Sequence, residues 1–156
     1  NGIAVDAQLL TSDPAVSAIG DVVSFPSPWS PQPIRLESVQ NAVDQAKALA
    51  ARLVGKPTGS YAALPWFWTD QGDLKLQIAG MSDGYDQTVV LGSQEAKQLS
   101  ILCFRQGKLV AVESCNKPID HMSSRKLIAR HTALTVAEAS STSLGSSGPL
   151  TRMRSF

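Results

Sequence analysis

The chain has 156 residues, of which 43% are apolar and 17% charged, and its 14 Lys and Arg residues against 13 Asp and Glu residues give a net charge of +1. This length and composition are typical of one globular domain or two small ones, and they exclude a disordered or fibrous chain. The near-neutral charge argues against a nucleic-acid partner. No apolar run approaches the roughly 18 residues of a membrane span, which argues against a membrane partner.

The chain opens with Asn1 rather than Met, and its first residues have neither the basic nor the apolar segment of a signal peptide. We therefore expect it to be part of a longer protein. A two-residue hairpin turn at residues 106 and 107 places Cys103 opposite Val110 and Cys115 opposite Gln98, which is too far out of register for a disulfide. The spacing of cysteines and histidines predicts no metal site, and two unpaired thiols favour a reducing, cytoplasmic location.

The first third of the chain predicts two brief strands, a loop and one helix. The strands are Ile3 to Val5 and Val16 to Ile19, the second ending at Gly20 and Asp21. Four prolines make residues 25–33 a loop. From Leu36 to Val54 apolar residues recur every three or four positions, which predicts a helix with a buried apolar stripe that ends at Gly55.

The remainder of the chain is typical of an antiparallel sheet. The apolar runs 74–81, 88–91, 98–104 and 108–114 have short connections and predict a four-stranded meander. Pro118 opens a second helix, whose predicted inner face holds Ile119, Met122, Leu127 and Ile128. Residues 132–156 are rich in Ser, Thr and Gly and predict a flexible tail. The fold class is therefore α+β.

Two segments of the first third have the chemistry of a ligand site. Gly20 lets a ligand approach the backbone, and the Asp21 carboxylate can accept hydrogen bonds from sugar or polyol hydroxyls. Taken alone, the pair favours an ordinary turn in which Asp21 caps its own backbone. At the start of the first helix, free amides and the positive end of the helix dipole suit a carbonyl or an anion. Ordinary capping by Glu37 and Ser38 is the alternative.

Two further segments suit contact with another molecule. Trp66 and Trp68 lie in one tetrapeptide. Its aromatic rings suit contact with a flat cofactor or a partner protein, or packing in the core between a helix and the sheet. Alternation along a strand predicts that one indole faces inward and the other outward. A basic segment fits an acidic partner protein or an ordinary solvated face. Its cations are Arg105, Lys108, Lys117, Arg125, Lys126 and Arg130. No phosphate-binding glycine motif, nucleophile motif or catalytic dyad occurs, so the spacing of residues alone predicts no catalytic residue.

The order of four motifs resembles the C-terminal half of the FAD-dependent, NAD(P)H-linked ferredoxin or rubredoxin reductases of bacterial oxygenase systems. The motifs are Asn1 to Asp6, Thr11 to Asp21, Arg35 to Ala42, and Pro65 to Gln71. Disulfide-reducing flavoenzymes end in a related domain, but the His and Glu pair that those enzymes use has no counterpart around His121 or His131.

The resemblance implies the end of a Rossmann-like FAD-binding domain followed by a C-terminal antiparallel-sheet domain with flanking helices. Residues 1–56 are then the FAD-domain remnant, 57–131 the reductase domain and 132–156 the tail. The implied FAD-binding residues are Gly20, Asp21, Glu37, Ser38, Val39 and Trp66. Arg35 and Trp68 are implied to contact a ferredoxin or rubredoxin.

Only part of an FAD site is implied, because the Gly-rich unit for FAD and the domain for NAD(P)H do not occur in these residues. The resemblance therefore implies an oxidoreductase as the complete protein and a chain that is inactive by itself. Two alternatives stay open. The chain is a non-catalytic interaction domain that docks an acidic electron-transfer protein, or a truncated product with no activity of its own.

Overall fold

The computed structural model describes residues 1–141. The chain forms two compact units that divide between Pro65 and Trp66. This boundary lies nine residues after the predicted one at residue 56, because the segment up to Tyr61 packs with the first unit. The edge-to-face contact between the rings of Phe25 and Tyr61, with centroids 5.5 Å apart, belongs to that packing.

The first unit is small and has one long helix. Two short parallel strands, β1 (Ile3–Ala4) and β2 (Val23–Ser24), pair with each other, and a 3₁₀ turn covers Gly20–Val22. Helix α1 spans Val39–Leu53. The buried apolar residues of this unit are Val5, Leu9, Val23 and Phe25.

The predicted strand before Gly20 is wrong. The segment forms only an isolated bridge between Leu10 and Ser17, and Val16 is half exposed. The strand follows the Gly20–Asp21 pair instead, because Val23 and not Val16 enters the core. Gly20 has a φ of +78° and opens the 3₁₀ turn that leads into β2.

The first helix is confirmed, but its predicted buried face is wrong. It begins at Val39 rather than Leu36, and Gly55 follows its end with a φ of +71°. Val39 and Leu53 of the apolar stripe are 63% and 71% exposed, and the fully buried residues are Asn41 and Gln45. Their amide groups bond to backbone of the loops beside α1, which lets polar groups occupy the buried face.

The second unit is built on a five-stranded antiparallel sheet. Its strands are β3 (Trp66–Gln71), β4 (Leu74–Gly80), β5 (Gln87–Ser93), β6 (Gln98–Arg105) and β7 (Lys108–Cys115). The spatial order is β3-β4-β7-β6-β5. Antiparallel pairing is confirmed, but the simple meander is wrong because β4 pairs with β7 rather than with β5. The aromatic tetrapeptide supplies part of the edge strand β3.

The cysteine register differs from the prediction by one residue. A bulge between Cys103 and Phe104 places Cys103 opposite Ala111, and Cys115 lies opposite Leu99. The two-residue turn at Gln106 and Gly107 is confirmed, because Arg105 pairs with Lys108. Both cysteines are free thiols.

Two helices follow the sheet. Helix α2 spans Pro118–Ala129 and begins at the predicted proline, but Ile119 and Met122 are half exposed. Its buried face consists of Asp120, His121, Ser124, Leu127 and Ile128. Hydrogen bonds satisfy Asp120 and Ser124 in that position, so they are buried in place of Ile119 and Met122, whereas the predicted burial of Leu127 and Ile128 is confirmed.

A third helix lies where a tail was expected. Helix α3 spans Val136–Ser141, and Ala139 packs with Leu102 and Phe104 in the sheet core. The tail prediction is therefore wrong for residues 132–141, and its remaining residues lie outside the described part of the chain. The α+β class is confirmed. Within residues 1–141, no helix is long and apolar enough to cross a membrane.

Candidate functional site

The turn at Gly20 and Asp21 is fastened to helix α1. The Gly20 N–H is buried and donates to Oε1 of Gln45 at 2.7 Å. A Cβ added at Gly20 would come within 3.8 Å of the Ala42 side chain, so the turn lies directly on the first half of the helix. The predicted pair is therefore held by contacts with α1.

Arg35 holds the other side of the same turn. Its Nη1 donates to the backbone oxygen of Asp21 at 3.2 Å, and its Nη2 lies 2.6 Å from the Glu37 carboxylate. The Asp21 carboxylate itself is exposed and has no hydrogen-bond or ion-pair partner among residues 1–141. The backbone of Asp21 is thus fixed while its acceptor oxygens face outward.

The start of α1 combines a cap with an accessible positive end. The Ser38 hydroxyl accepts from the Asn41 N–H at 3.2 Å, which confirms the capping interpretation for Ser38. No acidic residue lies in the first turn, and Val39 is 63% exposed. The helix dipole is therefore not neutralised from within that turn.

These residues have the chemistry to contact one side of a polar ligand. A carboxylate suits hydroxyl groups of a sugar chain, and uncompensated amides at a helix start suit a carbonyl edge that gains negative charge. Contacts join Asp21 to Arg35, Arg35 to Glu37 and Gly20 to α1, and Ser38 caps the start of that helix. Trp66 and Trp68 belong to the second unit.

Buried amide side chains support this site, and the apolar spacing of α1 did not indicate them. The Tyr61 hydroxyl donates to Asn41 Oδ1 at 3.3 Å, and the Asn41 amide donates to the backbone oxygen of Leu36 at 3.1 Å. Burial, followed by the negative charge of Asp44, raises the pKa of Tyr61 to about 12. Asn41 and Gln45 are four positions apart, which was a usable signal because that spacing puts them on one helix face.

Both indoles of the aromatic tetrapeptide lie on the same face of β3. Trp66 and Trp68 are two positions apart, and their rings stack with centroids 5.3 Å apart. The expectation that one indole faces inward and the other outward is wrong, because residues i and i+2 share a face and Phe67 takes the opposite one. The Arg125 guanidinium lies 4.4 Å from the Trp66 ring centre.

His121 is a buried titratable group beside Trp66. Its ring centre is 5.8 Å from that of Trp66, and the residue is only 1% exposed. Neither ring nitrogen has a hydrogen-bond partner among the described residues. Burial, and then the charge of Arg125, lowers the pKa of His121, which favours the neutral form of the ring.

The basic segment divides into engaged and exposed cations. Lys117 lies 2.9 Å from the Asp120 carboxylate, which also accepts from Ser100 at 2.8 Å. Arg105 donates to the backbone oxygen of Asp83. With Arg125 over Trp66, half of the six cations have contacts within the unit, and the exposed members are Lys108, Lys126 and Arg130. Residues 1–141 contain no group of three or more acidic, Cys or His side chains that could hold a metal ion.

Known proteins match both units. Rhodocoxin reductase of Rhodococcus erythropolis is 50% identical over 142 residues, which are 91% of this chain and 33% of the relative. The structure of the ferredoxin reductase for the CYP199A2 system from Rhodopseudomonas palustris has a TM-score of 0.85 and 48% identity, and covers 89% of this chain and 34% of that one. A covalent putidaredoxin reductase–putidaredoxin complex has a TM-score of 0.81 and 35% identity, over 86% of this chain and 32% of that one.

The chain spans about a third of the length of these relatives. Their names confirm the resemblance to ferredoxin and related reductases. The model of the family described as Reductase C-terminal matches residues 66–145, which is just over half of the 156 residues and includes the whole five-stranded sheet. The chain belongs to the Reductase C-terminal family.

Proposed function

We propose that the chain supplies one side of an FAD site in an NAD(P)H-dependent reductase that passes electrons to a ferredoxin or rubredoxin. The observation that carries this proposal is the Asp21 carboxylate, which is exposed and unpartnered within residues 1–141 although its backbone is held by Arg35 beside α1. A fixed backbone with free acceptor oxygens is suited to a ligand, because little freedom is lost on binding.

Each residue of the turn and helix start has a separate part in this proposal. Asp21 accepts hydrogen bonds from the sugar-chain hydroxyls, and Gly20 allows the close approach. Ser38 caps α1, and the Glu37 to Val39 backbone presents the positive helix end to the pyrimidine edge, where it stabilises negative charge. FAD, when bound, accepts a hydride and releases electrons singly. The 156 residues contain no nucleotide-binding glycine motif, so we assign no NAD(P)H site to them.

We propose a partner contact for Arg35 in the first unit. In the second unit we propose partner contacts for Trp68 and the exposed cations of the basic segment, and an FAD contact for Trp66. Support comes from the related putidaredoxin reductase, whose structure was solved with putidaredoxin. Cationic side chains attract an acidic protein over several ångströms, and aromatic rings supply rigid contact area. A cytoplasmic location stays a prediction, supported by the free thiols Cys103 and Cys115.

The test is a titration of the ¹⁵N-labelled chain with FAD, followed by NMR. We expect the amide signals of Gly20, Asp21 and Val39 to move, with a dissociation constant on the order of 0.1–1 mM because only one side of the site is present. Asp21→Ala should abolish the movement. Asp13→Ala, which removes an exposed carboxylate from the same unit, should leave it unchanged.

Two outcomes contradict the proposal. If millimolar FAD moves no signal near Gly20, the flavin role is wrong. If a [2Fe–2S] ferredoxin then moves the signals of β3 in a salt-dependent manner, the chain is a non-catalytic docking module instead.

A further inference from the structure

We propose that Gln45 is the positioning residue that sets the direction of the Asp21 carboxylate, an inference that rests on the FAD role proposed for Asp21. Gln45 lies in the middle of α1, 25 positions from Gly20, and does not itself face the ligand. It acts through the backbone of Gly20.

The contact is short and shielded from water. Gln45 and Gly20 are both buried, and the Gln45 Oε1 accepts from the Gly20 N–H at 2.7 Å. Water does not compete for a bond in such a place, so the bond limits the rotation of the Ile19–Gly20 peptide, to which the Gly20 N–H belongs. Gly20 has a φ of +78°, which glycine adopts easily because it has no Cβ. Since it has no side chain to pack against α1, the hydrogen bond to Gln45 holds the turn there.

A second contact restrains the peptide that follows Asp21. The Arg35 guanidinium donates to the Asp21 backbone oxygen and is itself held by Glu37. The Gly20 oxygen accepts from the Val23 N–H, which restrains the Gly20–Asp21 peptide within the turn. The turn is therefore tied to the middle of α1 through Gln45, one peptide before that one, and to the segment before α1 through Arg35, at the peptide after Asp21. With the turn closed by the Val23 bond and anchored at both ends, the Cα–Cβ direction of Asp21 is fixed as well.

Helix packing alone does not explain a glutamine at this position. The Gln45 Nε2 is buried and has no hydrogen-bond partner among the described residues. A buried donor without a partner destabilises the folded state, and methionine would fill similar space without one. The useful part of the side chain is its oxygen, and that oxygen is bonded to Gly20.

The decisive variants are Gln45→Met, which removes the acceptor and keeps the length, and Gln45→Asn, which withdraws the acceptor by one methylene. The matched control is Ser17→Ala, because Ser17 receives the other bond that joins α1 to this loop, from Arg52. Each full chain is checked by circular dichroism and then titrated with FAD, with hydrogen exchange of the Gly20 amide measured in parallel.

We expect both Gln45 variants to speed Gly20 exchange and weaken FAD binding about tenfold, the change that corresponds to roughly one hydrogen bond, whereas Ser17→Ala binds FAD as the parent does. If Gln45→Met does not fold, Gln45→Asn decides. A Gln45 variant that folds, exchanges Gly20 faster and still binds FAD with parental affinity overturns the inference alone. A parent chain that does not bind FAD overturns the FAD role, and this inference with it.

Discussion

Replacing Gly80 by alanine tests how closely β4 and β7 pack. Gly80 ends β4 with a φ of +84° and lies opposite Ala111. A Cβ built there would lie 2.1 Å from the Val110 oxygen and 3.0 Å from the Ala111 Cα. Both atoms belong to the backbone of β7 and cannot rotate away, so the two strands would have to separate.

The expected loss of unfolding free energy has two parts, and a variant at a second glycine measures one of them alone. Holding alanine in a left-handed conformation costs roughly 1–2 kcal/mol, and forcing apart packed backbone adds about 1–3 kcal/mol. Gly72, in the turn between β3 and β4, has a φ of +61° and no atom within 4 Å of a built Cβ. Gly72→Ala therefore carries only the first part. Gly80→Ala should lower the free energy of unfolding by roughly 2–5 kcal/mol.

The assay is urea unfolding followed through hydrogen exchange of the β4 and β7 amides, which reports on the second unit alone. The informative quantity is the difference between the two variants, because the conformational strain is common to both. Equal losses for Gly80→Ala and Gly72→Ala would refute the argument that backbone contact, rather than φ, requires glycine at position 80.

Two further predictions concern the helices. Ser38→Ala should destabilise α1 by about 0.5–2 kcal/mol because the Asn41 N–H loses its acceptor; exchange of the α1 amides measures this, and Ser38→Asn should retain most of the protection. The folded chain lowers the pKa of His121 from 6.5, so the unfolded chain binds a proton more readily. As the pH falls below 6.5, protonation of the unfolded chain therefore lowers the free energy of unfolding. Urea midpoints between about pH 7 and pH 5 should fall in the parent and change less in His121→Phe; parallel slopes would contradict this.

Local sequence predicted where α1 begins and ends better than which side it buries. Ser38 and Gly55 act within one turn of the helix, so their effect is readable without the fold. The buried side depends on Gln45 meeting Gly20, 25 positions away. Hydrophobicity predicted that Val39 is buried, but Gln45 lies on the buried side of α1 because its amide oxygen accepts a hydrogen bond there.

Burial of polar residues also explains why the buried face of α2 was predicted only in part. Asp120, His121, Ser124, Leu127 and Ile128 follow a helical period, but their polarity hid it from a search for apolar spacing. Asp120 is buried because Ser100 of β6 bonds to it, which is a contact that no local pattern contains. The candidate site was predicted from the resemblance to the reductases. The residue types alone fitted an ordinary turn at Gly20 and Asp21 and an ordinary helix cap at Glu37 and Ser38 as well.

The strand order has a consequence for how the second unit forms. Strands β6 and β7 are joined by two residues and can meet early, whereas the pairs between β4 and β7 join residues 31 positions apart at Gly80 and Ala111 and 39 apart at Leu76 and Cys115. Closing such loops is slow compared with forming a hairpin. During synthesis the hairpin of β3 and β4 leaves the ribosome well before β7, and the edge of β4 stays open to other chains until β7 pairs with it.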